Sequence, residues 1–388
     1  MHRRPRRPGP LIGALAAVVA MTTAGCSGLG GDDTAATSAP ATTTAGTDPA
    51  TSASPVDGGA DDDDGGTPSI TPSTVRDTPP SIDRAVPVEQ VTWWADGLDS
   101  DVLLGLRETE EAGTAGCEGE PPARLDAFGG DGEVVTEGVQ PAGQADRVSR
   151  YGNRAAFSGL CEGFVIDPSV GTIDDEGGVT DMVPLDPVDG MTVLSLPVWS
   201  ANGAELLVSA YSEDNDRLHE LTYDPGTGAL LASAPAEAST LAEFGTGARV
   251  LLWADNSVTV DDRPIDGAMT ASGSPLVSVS ADGSLVALGI DRQIVVVDAE
   301  GTTVFTATAP GGRFIGGLGF LDSRWIVWVD GTDQLHTGDL ATGDEDTLDP
   351  DLGSGYSWSN LAVANGGYTV GLSGYDGEAW QAAVVHLD

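Results

Sequence analysis

The chain has 388 residues, with 60 acidic and 17 basic side chains and a formal charge of −43. Every basic residue is an arginine, which excludes a phosphate loop ending in Gly-Lys, a Schiff-base lysine and a Ser-x-x-Lys nucleophile. From residue 81 onward there are 51 acidic residues and 12 arginines, a formal −39. That charge repels nucleic acid and anionic headgroups and leaves open a basic partner, a divalent cation or a saline habitat.

Residues 1–25 read as an export signal. Arg3, Arg4, Arg6 and Arg7 form a positive start, residues 11–21 an apolar core, and Thr23-Ala24-Gly25 a small-residue approach to Cys26. The apolar core is too short to span a bilayer. Thr23-Ala24-Gly25-Cys26 resembles the bacterial lipobox, with Thr23 standing where Leu is usual. The resemblance implies cleavage before Cys26 and lipidation of its sulfur, hence a protein on the outer side of the cell membrane, held only by its lipid anchor. The other reading is an ordinary cleaved signal with a free cysteine nearby.

Residues 26–84 are expected to be a disordered tether. They are nearly all Gly, Ala, Ser, Thr, Pro and Asp, with four adjacent aspartates at 61–64, so there is little to bury against the ordering entropy. A flexible chain of this length spans roughly 40 Å, enough to lift a domain off a membrane.

Residues 85–388 are expected to form one all-β domain. A turn signal recurs between strand-like runs: Trp94-Ala95-Asp96-Gly97, Tyr151-Gly152-Asn153, Trp199-Ser200-Ala201-Asn202-Gly203, Phe244-Gly245-Thr246-Gly247, Val279-Ser280-Ala281-Asp282-Gly283, Phe320-Leu321-Asp322-Ser323 and Val363-Ala364-Asn365-Gly366. Asn-Gly and Asp-Gly between β-formers mark hairpins because both positions tolerate positive φ. A second turn, Asp224-Pro225-Gly226-Thr227-Gly228, is echoed at residues 298–301 and 340–343. Seven anchors spaced roughly 36 to 55 residues apart signal a propeller of seven blades, with six to eight compatible. The chain ends in a third-strand pattern at 382–387, so a segment within 68–90 is expected to supply the last blade's outer strand, where its prolines are tolerable on an edge.

The anchors at Trp199 and Val279 resemble the Trp-Ser-Pro-Asp-Gly run of TolB-type propeller repeats, a relative of WD-type repeats, although both lack the proline. The resemblance covers roughly residues 88–388. It implies the fold and leaves function open, because propellers host enzymes, scaffolds and sensors.

Cys117 and Cys161 each begin a Cys-Glu-Gly tripeptide between the second and third strands of neighbouring units. In an exported protein a Cys117–Cys161 disulfide is expected; free thiols or a metal pair are the alternatives. The second-to-third-strand loops also carry Glu110, Glu111, Glu118 and Glu120, then Glu213, Asp214 and Asp216, then Asp330 and Asp333, then Asp376 and Glu378. In a propeller these loops share one face, so four blades would aim carboxylates at a cationic partner. The competing reading is that an acidic protein simply has acidic loops.

His219 and His336 fall at one repeat position in two blades and read as strand-surface residues. Asp214-Asn215-Asp216 is followed by Arg217 and lacks the central Gly and terminal Glu of an EF-hand loop, so calcium has no motif behind it and no cofactor or metal site is expected. No catalytic motif is found. The expected function is a non-catalytic, monomeric module that binds an envelope protein or small ligand. The rival is a propeller enzyme, a quinoprotein-like dehydrogenase or a lyase, with its site in the central channel.

Overall fold

The computed structural model describes residues 75–98, 100–108, 123–139, 147–161, 164–270, 275–310, 313–352, 357–364, 368–375 and 378–388. Cys26, Cys117, Asp376, Glu110, Glu111, Glu118 and Glu120 lie outside them, as do the export signal and most of the tether.

Seven antiparallel sheets form a closed seven-bladed β-propeller, and the described residues contain no helix. In chain order the blades open with inner strands at Val91–Gly97, Arg147–Tyr151, Val198–Trp199, Ala238–Glu243, Leu276–Val279, Gly317–Phe320 and Trp358–Ala364. These inner strands contact one another in sequence around the ring, and the last touches the first. Five of the seven sequence anchors lie at turns from first to second strand; the one at Trp94 ends the inner strand of blade 1, with Gly97 still paired to Leu103, and Asn365 and Gly366 of the last lie outside the described residues.

The two best copies of the anchor build the same turn. In blade 3, Gly203 N–H donates to Ser200 O at 2.8 Å, Ser200 Oγ to Asn202 Oδ1 at 2.9 Å, and Glu205 N–H to Ser200 Oγ at 3.0 Å. In blade 5, Gly283, Ser280, Asp282 and Leu285 repeat this pattern at 2.8, 2.7 and 2.9 Å. Gly203 and Gly283 have φ of +66° and +67°, which a β-carbon disfavours. Serine and Asx side chains complete the turn by accepting or donating locally.

Blade 7 closes the ring as expected. Its inner strands are Trp358–Ala364, Thr369–Tyr375 and Trp380–Leu387, and the outer strand is Ile82–Val88 from the start of the domain, with Val88 opposite Ala382 and Ile82 opposite Leu387. Pro87 sits on this edge, where its missing N–H is not needed. The described chain reaches back to Val75, and Arg76 already packs on the domain. Blade 3 has a split inner strand. Met191–Val193 and Val198–Trp199 both pair with Leu206–Ser212, and between them Leu194 and Ser195 both donate to Ser209 O while Ser195 Oγ accepts Ser209 N–H. Pro197, without an N–H, falls in this interruption.

Burial lies between blades. Leu104, Phe157 and Ile173 fill the space between blades 1 and 2; Val286 and Val260 that between 4 and 5; Trp325, Val370 and Val385 that between 6 and 7. Trp94, 1% exposed, meets Phe128 edge-on at 5.3 Å and sends its indole N–H across to Leu372 O of blade 7 at 2.9 Å. Each sheet is thus apolar on both faces, as a radial stack of sheets requires.

Candidate functional site

First-to-second and third-to-fourth turns lie at one end of the ring, the turn face. Second-to-third loops and blade-to-blade connections lie at the other, the loop face. The structure places the described carboxylates singled out above on the loop face in three hairpins.

The blade 3 hairpin joins Leu206–Ser212 to Arg217–Tyr223. Its Glu213, Asp214 and Asp216 are exposed. Asp216 takes positive φ, +57°, its N–H donates to Ser212 O at 3.0 Å, and its carboxylate accepts from the Tyr211 hydroxyl. The blade 7 hairpin exposes Glu378 between Tyr375 and Trp380.

Blade 6 differs from expectation. Asp333 is exposed, but Asp330 is buried at 1% and presents nothing to solvent. Its Oδ1 accepts from Thr332 N–H at 3.1 Å and Thr332 Oγ at 2.7 Å, and lies 3.4 Å from His336 Nε2. The sequence shows an aspartate at the start of a loop; only the structure shows that it is spent on holding that loop. His336 and His219 are also interior, 6% and 7% exposed, rather than on the strand surface. His336 stacks on Trp328 at 5.4 Å and 15°; His219 contacts Asn215 at 3.0 Å and Ser233 at 3.3 Å. The two rings sit in different blades, 6 and 3.

Cys161 ends the second strand of blade 2, and its strand partner is Phe164. Among the described residues, no group of three or more His, Cys, Asp or Glu side chains is placed to hold a metal ion. A cleft of about 340 Å³ between the turns of blades 3 and 4 is lined by Asn202, Glu243, Thr246 and Arg249. It opens on the turn face, away from the acidic hairpins.

Several arginines are committed internally. The buried Asp126 carboxylate takes Arg124 Nε at 2.6 Å and Arg107 Nε at 2.7 Å, and this hydrogen bonding holds the Arg124 guanidinium above its ordinary pKa. Arg249 joins Glu220 at 3.0 Å and Glu243 at 3.1 Å. Arg150 meets Asp96 at 3.2 Å. Arg324 grips Asp339 with two donors at 3.0 and 2.7 Å, and that hydrogen bonding pulls the Asp339 carboxyl down to about 2. Sequence reading missed these pairs. The usable signal was local: Arg124 and Asp126 are two apart on one strand, hence on one sheet face.

No protein-family model matches the chain, and no curated protein does. The fold recurs among solved structures. A chain from the crystal structure of the mitotic checkpoint complex is similar over 81% of this chain and 94% of its own, with 14% identity and a TM-score of 0.50. In all 1034 solved chains match, so the likeness defines a WD40-like seven-bladed propeller and does not choose among functions.

Proposed function

We propose that this is a cell-envelope lipoprotein of bacterial type, cut before Cys26 and anchored through it, whose propeller is a non-catalytic protein-binding module working through its loop face. Propellers of this kind support protein binding in general. One observation carries the choice of face: Glu213, Asp214, Asp216, Asp333 and Glu378 are exposed there in hairpins of three blades, while Arg107, Arg124, Arg150, Arg249 and Arg324 are tied to other carboxylates. The same face exposes Arg217, Arg292 and Arg313, fewer than its carboxylates; a net negative rim raises encounter rates with an oppositely charged partner and makes them salt-dependent. The lipobox-like residues before Cys26 support the envelope setting. A Cys117–Cys161 bridge belongs to the same reading.

The test uses the chain from residue 27 to 388 as bait in envelope extract, at low and high salt, with and without calcium. A partner captured at low salt and released at high salt supports the reading. Capture that survives neutralisation of Glu213, Asp214, Asp216, Asp333 and Glu378 to their amides refutes the choice of face. Incorporation of labelled fatty acid by the full chain, lost in Cys26→Ser, is the expected result for the anchor.

A further inference from the structure

Large exposed hydrophobic side chains divide by type and place. Leu231, Val135 and Val304 lie singly on outer strands, Val279 at a turn and Val75 at the first described residue. The aromatic ones, Phe314, Tyr375 and Trp380, at 60%, 48% and 40% exposure, all lie on the loop face. Phe314 is in the connection from blade 5 to blade 6. Tyr375 and Trp380 face each other at the tip of the blade 7 hairpin, as the last pair of their two strands, with ring centroids 5.5 Å apart and planes at 56°.

Such a pair left in water is unfavourable, since each ring keeps roughly 100 Å² or less still to bury; Trp and Tyr are also the side chains over-represented among binding hot spots. Carboxylates flank it on more than one side. Glu378 lies within the hairpin. Glu89 follows Val88, whose partner is Ala382, so it ends the outer strand beside the tip. On the inner side, Asp333 O accepts the Trp358 indole N–H at 3.2 Å, and Trp358 pairs with Gly374, next to Tyr375. The third exposed aromatic already shows what such rings take on this face: the Arg292 guanidinium lies 5.6 Å from the Phe314 ring centre. Among the described residues no arginine covers Tyr375 or Trp380.

We infer that the Tyr375–Trp380 hairpin tip is the seat for an arginine- or lysine-bearing segment of a partner protein, whose cation lies against the two rings while the flanking carboxylates fix its register. This rests on the loop-face reading above and narrows it to one blade and one chemistry. Aromatic rings attract a cation through the negative potential of their faces, and nearby carboxylates add to it.

The test measures binding of a fluorescein-labelled peptide carrying four arginines in a Gly/Ser background to the chain from residue 27 to 388, by anisotropy at low and high salt. The same peptide with glutamines in place of the arginines is the control. Trp380→Ala and Tyr375→Ala are exposed substitutions; far-UV circular dichroism checks that each variant is folded. The expected result is binding of the arginine peptide alone, weakened about fivefold to tenfold by either substitution and changed less than twofold by Glu345→Gln on the exposed outer strand of blade 6; Glu213→Gln with Asp214→Asn and Asp216→Asn in blade 3 weakens it less than either aromatic substitution. If the aromatic variants bind like the parent while the blade 3 variant loses affinity, the hairpin seat is wrong and the acidic face stands. If the parent ignores the arginine peptide, or binds the glutamine peptide equally, both are wrong.

Discussion

Asn360 of blade 7 holds Trp94 of blade 1 by both of its backbone polar groups. Trp94 N–H donates to Asn360 Oδ1 at 2.8 Å, and Asn360 Nδ2 donates to Trp94 O at 3.2 Å. Ser373 Oγ donates to the same Oδ1 at 3.0 Å. All three residues are buried. The join between the last blade and the first therefore has a specific polar lock beside the strand exchange of Ile82–Val88.

Replacing Asn360 by leucine keeps the volume and removes the lock. Two backbone groups of Trp94 and the Ser373 hydroxyl lose a partner in a site without water access. An orphaned buried donor or acceptor costs about 1–3 kcal/mol, so Asn360→Leu is expected to lower stability by about 2–5 kcal/mol. Equilibrium urea unfolding measures this; a midpoint unchanged from the parent would show that the strand exchange alone closes the ring.

A second device at the same join involves the segment ahead of the outer strand. Arg76 N–H donates to Asp322 Oδ2 at 3.2 Å, its guanidinium lies 3.6 Å from the centre of the Tyr368 ring, and its carbonyl accepts the Trp325 indole N–H at 3.0 Å. The Tyr368 hydroxyl donates to Asp322, and burial, with that bond, raises its pKa above the ordinary tyrosine value. Arg76→Ala removes the cation from the ring and a bond to Leu387 O at 3.3 Å. The expected loss is about 1–2 kcal/mol, seen as a lower thermal midpoint. A chain begun at residue 85 removes the whole strap and the first pairs of the outer strand, and is expected to lose more than Arg76→Ala. Equal midpoints for the two would show that the strap adds nothing beyond Arg76.

Close approach of the inner strands gives a steric prediction. A β-carbon on Gly97 would collide with the Val363 carbonyl and the Ala364 amide of blade 7. These are backbone atoms, which cannot rotate aside. Gly97→Ala is expected to cost about 1–3 kcal/mol by overpacking. Gly247→Ala is the control: nothing lies within 4 Å of its added carbon, so only the strain of φ +86° remains. If Gly247→Ala proves the more damaging in denaturant unfolding, contact between the first and last blades is looser than the geometry requires.

Legibility in the sequence followed the range of each interaction. The turns at Trp199 and Val279 were readable because their hydrogen bonds run between residues at most five apart. The returning strand was readable from Ala382–Leu387 ending a blade early, since an unpaired sheet edge demands a partner. Asp330 was misplaced because an exposed loop carboxylate and one turned inward to Thr332 and His336 look alike in one dimension. Tyr375 and Trp380 carry no signal in one dimension; their exposure depends on where the hairpin tip meets the rim. The Asn360–Trp94 lock joins residues 266 apart and leaves no local pattern.

Acid stability should depend on the Arg324–Asp339 pair. The Asp339 side chain is 5% exposed, its carboxyl is pulled down to about 2 first by the Arg324 hydrogen bonds, and Ala341 N–H adds a further bond. A carboxyl lower in the folded than in the unfolded chain, where it titrates near 3.9, stabilises the fold at pH above that unfolded value. The contribution is lost progressively as pH falls from about 4 toward about 2. Arg324→Met removes the cation and raises the folded-state pKa of Asp339. The acid-unfolding midpoint, followed by tryptophan fluorescence, is therefore expected to move to higher pH in Arg324→Met. Stability near neutral pH also falls, because a buried carboxylate loses its partner. An acid midpoint that stays in place while neutral stability falls would mean that Asp339 remains ionised through its backbone donors alone. Asp339→Asn then separates the two: it should flatten the pH dependence between about 4 and 2 if Asp339 is the group that titrates there.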